Sequence, residues 1–219
     1  MSGISKDLVD KFRPLDTTCI SDALDRLGIT GGCQGILPAV PGTKAVGTAF
    51  TVKYRPCAVE KGTVGDFLDD VEPGQVVVLD NAGRMYGTVW GDIMTYYSQK
   101  RGISGTVIDG VCRDLPRVLE LKYPIFTRGR FMVTGKDRVE VDGINVPVAI
   151  SNVQVRPGDI AVCDDTGVII VPFDRAQEVL KVALEIDERE QIVLRLLDKG
   201  MTLREAREQI GYHKLQAKR

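Results

Sequence analysis

An α/β fold, a layered sandwich around a mixed β core, is what this 219-residue sequence predicts, on three observations. Two uninterrupted apolar runs, QVVVLD at 75–80 and GTVID at 105–109, read as strands buried on both faces. Stretches with helical spacing follow them, at 90–101 and 115–121. Beyond residue 130 the pattern changes to short β-runs separated by turn residues, and from 174 to one long helical pattern. Strands flanked by helices on both sides pack as layers.

In chain order, residues 6–12 have amphipathic spacing and predict a short helix. Thr17 and Thr18 open a second helix with apolar positions 20, 23, 24 and 27, a hydroxyl cap at its start and Gly28 as its stop. GGCQG at 31–35 and the Pro38 to Gly42 stretch form a loop, and AVGTAFTVKY at 45–54 is rich in β-formers. Residues 66–70 make a helical turn, and Pro73-Gly74 a reverse turn before the first buried strand. Gly102 ends the helix at 90–101, and a short strand at 125–126 follows the helix at 115–121. Strands are expected at 138–141, 146–150, 159–163 and 167–171, with turns at Asp142-Gly143, Pro157-Gly158 and Thr166-Gly167. The helical pattern at 174–197 stops at Gly200, and 202–210 is a final short helix. With no repeat and no linker-like tract, residues 1–219 are expected to form a single α/β domain with a C-terminal helical arm from about 174.

Composition excludes several classes. Lys+Arg numbers 29 and Asp+Glu 30, giving a net charge of −1, without the basic surplus of a dedicated nucleic-acid binder. The chain is 43% hydrophobic and 27% charged, in the globular range. The longest uncharged stretch, 27–43, is broken by glycines, Pro38 and Pro41, so no membrane span is expected. MSGISKDLVDKF at the start lacks an apolar signal core, and the expected location is cytoplasmic. The cysteines at 19, 33, 57, 112 and 163 form no close pair, which argues against a disulfide framework or a cysteine zinc site. The one histidine is His213, near a terminus and not expected to be catalytic. Chemistry then falls to carboxylates, arginine, backbone amides or an oxygen-held metal.

The informative region is 89–121, VWGDIMTYYSQKRGISGTVIDGVCRDLPRVLEL. Gly91 and Asp92 begin a helix, where unpaired N–H groups and the positive end of the macrodipole can hold a carboxylate. The strand at 105–109 points its carboxyl end at the loop carrying Arg113 and Asp114, the end where ligands gather in open α/β sheets. Arg113 can fork onto a carboxylate or polarise a keto oxygen. Asp114 can hold a divalent metal, with water completing the shell. Asp92 is a candidate base on a water at that metal, and the backbone of Gly91, Asp92, Ile93 and Met94 can take a substrate carboxylate. A structural alternative fits the same residues: Asp114 at a helix N-cap with Pro116 in the first turn, Asp92 as another cap, and Arg113 paired to either carboxylate.

Asp92, twenty intervening residues and then Arg113-Asp114 within GTVIDGVCRD resemble the class II pyruvate aldolases that cleave 4-hydroxy-4-methyl-2-oxoglutarate and 4-carboxy-4-hydroxy-2-oxoadipate. Their superfamily also holds proteins like regulator of ribonuclease activity A (RraA-like). TTCISDALDRLG at 17–28 is similar to the family's opening helix, and VRPGDIAVCDDTGVIIVP at 155–172 to its late hairpin. The resemblance implies a fold of the phosphohistidine-swivelling type in homotrimers or homohexamers, with the site at a subunit interface. It implies a metal-ligand role for Asp114, a substrate-binding and catalytic role for Arg113, a catalytic role for Asp92, and substrate binding by the backbone of Gly91, Asp92, Ile93 and Met94. The implied cofactor is Mg2+ or Mn2+, and the partner a small 2-keto acid. The implied reaction is retro-aldol release of pyruvate, with oxaloacetate decarboxylation as a side activity.

One position departs from the family pattern. Arg117 stands where an acidic residue usually follows the Arg-Asp pair. A further acid from a neighbouring subunit's C-terminal helix would be Glu188 or Glu190. The rival expectation is a non-catalytic regulator that binds and inhibits a ribonuclease. Elsewhere, GGCQG lacks the Lys-Ser/Thr of a phosphate-binding loop. Asp164-Asp165 reads as a turn, Asp109 as a loop-structuring residue, the acidic cluster of Asp69, Asp70 and Glu72 as solvated, and Tyr96 and Tyr97 as core or interface. The charged tail from Lys199 reads as a solvated face.

Overall fold

Two of the apolar runs end up side by side in the middle of one mixed sheet. In a computed structural model that describes residues 6–59 and 62–211, the elements in chain order are α1 (Lys6–Asp10), α2 (Thr17–Arg26), β1 (Leu37–Pro38), β2 (Ala45–Pro56), β3 (Val76–Arg84), α3 (Asp92–Lys100), β4 (Gly105–Cys112), α4 (Leu115–Leu121) and β5 (Ile125–Arg130), then β6 (Val139–Ile144), β7 (Val148–Ile150), β8 (Val153–Val155), β9 (Ile160–Asp164), β10 (Gly167–Val171), α5 (Ala176–Asp198) and α6 (Leu203–Ile210). Strands β2, β3, β4 and β5 run parallel, with Val78 opposite Val107 and Ile108 opposite Thr127. Strand β9 pairs antiparallel with the first half of β2, β10 pairs antiparallel with β9 at the sheet's edge, and β6 pairs antiparallel with the second half of β2. The hairpin β7–β8 forms a separate two-stranded sheet.

Alternation along the central strands explains why their sequence is apolar throughout. In β3, Val77 and Leu79 enter a core shared with Phe50, Trp90, Ile108 and Tyr123, beneath α3 and α4. Val76 and Val78 point the other way, into a core with Val107, Phe126, Ile150 and Val155 that the β7–β8 hairpin covers. A third core sets Phe12, Ile20 and Leu24 of the N-terminal segment against Val179, Ala183 and Ile186 of α5. Among the described residues no helix is long and apolar enough to cross a membrane.

Most predicted elements are present, with three instructive differences. Strand β4 runs on to Cys112, three residues past the predicted end, so Arg113 and Asp114 form the whole connection to α4. The loop expected after Gly35 contains β1, which binds antiparallel to β5. The start of α2 has no hydroxyl cap: Thr17 lies inside the helix, and its N–H and Oγ1 both donate to Asp164, at 2.8 and 2.7 Å, from a hairpin 147 residues away. Asp164 also takes Thr166 N–H (2.9 Å), while Asp165 takes Gly42 N–H (2.8 Å), so the predicted turn also fastens α2 and the loop before β2. At α6 the capping is local, with Thr202 and Glu205 capping each other's backbone N–H. His213 lies outside the described residues.

Partial burial raises the Asp164 carboxyl, but the Thr17 and Thr166 donors and the Lys44 charge outweigh it and hold the group below its ordinary value. A lowered carboxylate contributes stability above its unfolded pKa and loses it as pH falls through the folded one. Asp164→Ala should therefore lose about 1–2 kcal/mol at pH 7, the usual worth of a cap. The gap to the parent should shrink below about pH 4. Urea denaturation at pH 7 and pH 3 measures both.

Candidate active site

The first turn of α3 is fixed from beneath. Trp90, fully buried, stacks on Tyr123 with ring centroids 6.4 Å apart and 7° between planes. Its Nε1 donates to Thr95 Oγ1 at 2.9 Å, and that hydroxyl donates on to Gly91 O at 2.8 Å. The carbonyl of Trp90 accepts the N–H of Arg113 at 3.1 Å, tying the start of α3 to the end of β4. Gly91 is required by closeness: a Cβ there would lie 2.6 Å from Asp114 Oδ2 and 3.4 Å from Arg113 Nε.

Asp114 occupies the N-cap position of α4 without capping it. Its backbone is left-handed, φ 61° and ψ 33°, and its side chain accepts no N–H from the helix. Asp114 Oδ2 instead lies 3.3 Å from Arg113 Nε and 3.3 Å from the N–H of Asp92. The side chains of Arg113 and Asp114 are 40% and 37% exposed. A left-handed aspartate costs roughly 1 kcal/mol, and an exposed ion pair returns about 0–1 kcal/mol, so the arrangement does little for stability. The plain-cap alternative for Asp114 therefore fails on geometry. For Asp92 the structural alternative holds in part: Gly91, not Asp92, is the N-cap residue, but Asp92 Oδ1 takes the first-turn N–H of Ile93 at 2.8 Å. Two of the four backbone N–H groups expected to hold a substrate carboxylate, those of Asp92 and Ile93, thus already face carboxylate oxygens.

These residues open on a cavity of about 660 Å³ lined by Asp92, Arg113 and Asp114 and also by Asp66, Asp69 and Tyr97. Sequence reasoning missed the last three. Asp69 is exposed, as the solvated acidic cluster predicts, and it also lines the cavity wall, where Tyr97 Oη donates to it; that bond first, then burial, holds the phenol above its ordinary pKa. The available signal was Tyr97 lying on the same helix as Asp92, but its partner comes from a separate loop. Asp109 lines a different cavity of about 610 Å³; it pairs with Arg128 and accepts Ser151 N–H at 2.8 Å, which fits the predicted loop-structuring role.

Arg117 does not line the cavity and pairs with Glu120 at 2.7 Å within α4. That hydrogen bond and charge are the leading causes holding its proton firmly, with Asp92 a lesser one. Glu190 is half-buried, and burial, then Asp22 and Asp187, push its carboxyl up; Glu188 is exposed. No group of three or more His, Cys, Asp or Glu suited to a metal occurs among the described residues. A metal here would rest on few protein oxygens, with Asp114 the best placed.

The RraA-like family pattern, described as Aldolase/RraA, matches residues 17–170. A Halalkalibacterium halodurans protein with the name "Putative 4-hydroxy-4-methyl-2-oxoglutarate aldolase" is 35% identical over 183 residues, covering 84% of this chain and 85% of that one. Protein DlpA of Legionella pneumophila is 39% identical over 197 residues, covering 88% of this chain and 32% of DlpA, so the chain spans about a third of that relative's length. Among solved structures, Streptomyces coelicolor RraAS2, described as an unusual member of the RNase ES inhibitor RraA protein family, superposes with a TM-score of 0.81 at 30% identity, over 87% of this chain and 97% of its own. The chain belongs to the RraA-like family, and its mixed-sheet α/β fold is the RraA fold.

A Cβ at position 91 would collide with a carboxylate tip that can swing away, not with backbone. Gly91→Ala should stay folded, within about 1 kcal/mol of the parent in urea denaturation. A crystal structure of the variant should show Asp114 Oδ2 displaced and its contacts to Asp92 N–H and Arg113 broken.

Proposed function

We propose that this protein is a divalent-metal-dependent class II aldolase, a carbon–carbon lyase that cleaves a short 4-hydroxy-2-keto acid, such as 4-hydroxy-4-methyl-2-oxoglutarate, to pyruvate and a second carbonyl compound. The observation that carries it is an Asp114 carboxylate in a left-handed turn, uncommitted to its helix and set against Arg113 at the mouth of a cavity. The names of the aldolase relatives support the reaction class.

The donor set fits a hard cation. Asp114 is a part-exposed carboxylate, its surroundings offer oxygen ligands, and magnesium and manganese suit one or two carboxylates completed by water and substrate. Mg2+ or Mn2+ held by Asp114 would supply Lewis-acid stabilisation of negative charge on the keto oxygen. Arg113 grips the keto acid and faces that developing charge with a fixed cation. With the N–H groups of Asp92 and Ile93 turned to protein carboxylates, those of Gly91 and Met94 at the start of α3 take the substrate carboxylate. Asp92, through a water, accepts the proton of the 4-hydroxyl. The C3–C4 bond then breaks, its electron pair passes to C3 and onto the keto oxygen, and C4 becomes a carbonyl. Reprotonation at C3 gives pyruvate. Oxaloacetate decarboxylation follows the same electron flow, with CO2 as the leaving fragment.

Exposed Ile93, Leu119 and Met132 near the site support packing against a neighbouring subunit in a homotrimer or homohexamer. In that assembly exposed Glu188 is better placed than half-buried Glu190 to complete a neighbour's site. Likeness to RraAS2 supports a second reading, a regulator that binds a ribonuclease. Co-purification with ribonuclease E, without pyruvate release, would favour it.

Coupled pyruvate detection with Mn2+ should show turnover of 4-hydroxy-2-keto acids that EDTA abolishes. Asp114→Ala and Arg113→Ala should each lose about a hundredfold or more in kcat/KM while staying folded, the scale set by loss of one electrostatic stabiliser. Unchanged turnover in either variant would remove that residue's role.

A further inference from the structure

We infer that Arg130 is a specificity residue for this reaction: its guanidinium receives the distal carboxylate of a dicarboxylic keto acid, across the Arg113–Asp114 connection from the cavity that takes the first carboxylate. The inference rests on the retro-aldol reading and deepens it, since 4-hydroxy-4-methyl-2-oxoglutarate carries a second carboxylate that the residues described so far leave without a partner.

Arg130 is the last residue of β5 and stands opposite Cys112, the last residue of β4, in the parallel register. Phe131 N–H donates to Cys112 O at 3.0 Å and carries the pairing one step past the strand ends. Neighbouring strands lie about 4.8 Å apart, so Arg130 is rooted one strand spacing from Cys112, and Asp114 follows two residues later. Arg130 and the Arg113–Asp114 connection line a small cavity of about 260 Å³, with Cys112, Leu115 and Met132 as apolar wall. Arg113 and Asp114 also line the larger cavity, so they separate the two.

Charge distinguishes the two cavities. The larger is lined by Asp66, Asp69, Asp92 and Asp114 with Arg113 as its cation, and Arg101 behind its wall gives Nη2 to the carbonyls of Asp69 and Val71 at 3.0 and 2.9 Å. The smaller sets Arg113 and Arg130 against Asp114. With the first carboxylate at the start of α3 and the keto oxygen at Arg113, a second carboxylate meets like charges along the larger cavity and an arginine across the connection. Arg130 is exposed, and among the described residues its guanidinium makes no ion pair or hydrogen bond. The neighbouring arginines are committed: Arg128 to Asp109 and, at 2.8 Å, to Ser151 Oγ, and Arg117 to Glu120. The Arg130 fork is therefore free to grip a carboxylate through two N–H groups.

Calorimetry on the full chain in excess Mn2+ compares two keto acids that cannot be cleaved: 2-oxoglutarate, with a distal carboxylate, and 2-oxopentanoate, with a methyl group in its place. The parent should bind 2-oxoglutarate at least about tenfold tighter, the scale of one charge-assisted hydrogen bond. In Arg130→Gln the preference should fall below about threefold through weaker 2-oxoglutarate binding, and Arg130→Lys should restore part of it. An unchanged urea midpoint shows that each variant is folded. Coupled pyruvate detection should show the same split. Arg130→Gln should raise KM for 4-hydroxy-4-methyl-2-oxoglutarate about tenfold with kcat nearly unchanged, and leave 4-hydroxy-4-methyl-2-oxopentanoate, whose tail is neutral, as in the parent. No preference in the parent, a preference that survives in Arg130→Gln, or an equal loss on both aldols overturns the inference, and pyruvate release from either aldol then still upholds the retro-aldol reading. Pyruvate from neither aldol, with a 2-oxoglutarate preference that Arg130→Gln abolishes, overturns the retro-aldol reading and upholds the carboxylate subsite. Binding of neither keto acid overturns both.

Discussion

A two-residue connection between a buried strand and a short helix sets the terms for the rest of the site. Strand β4 is anchored on both faces and ends at Cys112, while α4 begins at Leu115. Asp114 bridges that gap only by taking a left-handed backbone, which turns its carboxylate off the helix axis and toward Arg113 and Asp92. Gly91 then has to be a glycine, and Trp90 has to be held from below, because any drift of the α3 start would close or open the three-residue cluster. The exposed ion pair contributes too little to explain this arrangement as a stability device.

Much of the sheet was legible in the sequence because its central strands are buried on both faces, and only an uninterrupted apolar run satisfies that. QVVVLD and GTVID could hardly be anything else, and LPRVLEL with Pro in its first turn read directly as α4. Elements whose stability comes from distant partners were not legible. Leu37–Pro38 is a strand only because β5 offers it a free edge. The cap of α2 is Asp164, and no local motif around Thr17 announces a donor-acceptor pair 147 residues apart. The strand Val153–Val155 is short and pairs only with its own hairpin partner, so its pattern was too weak to see.

The site divides along the same line. Asp92, Arg113 and Asp114 were found through their spacing and resemblance, and the structure places Asp114 3.3 Å from both the Arg113 Nε and the Asp92 N–H. The opposite wall was not legible as part of the site. Asp69 looked like one of several surface acids, and Tyr97 like packing, because the loop carrying Asp69 and the helix carrying Tyr97 meet only in three dimensions. Arg117, conspicuous in sequence, is absorbed by Glu120 one turn away.

Strand β2 has a consequence of its own. Its first half is laced to β9 and its second half to β6, while its middle and later residues pair with β3. A single twelve-residue strand therefore joins the layer under α5 to the layer under α3. Neither layer can melt without tearing hydrogen bonds from the strand they share, so heat or denaturant meets one cooperative unit, and loss of the cavity beside Asp114 coincides with loss of the sheet as a whole.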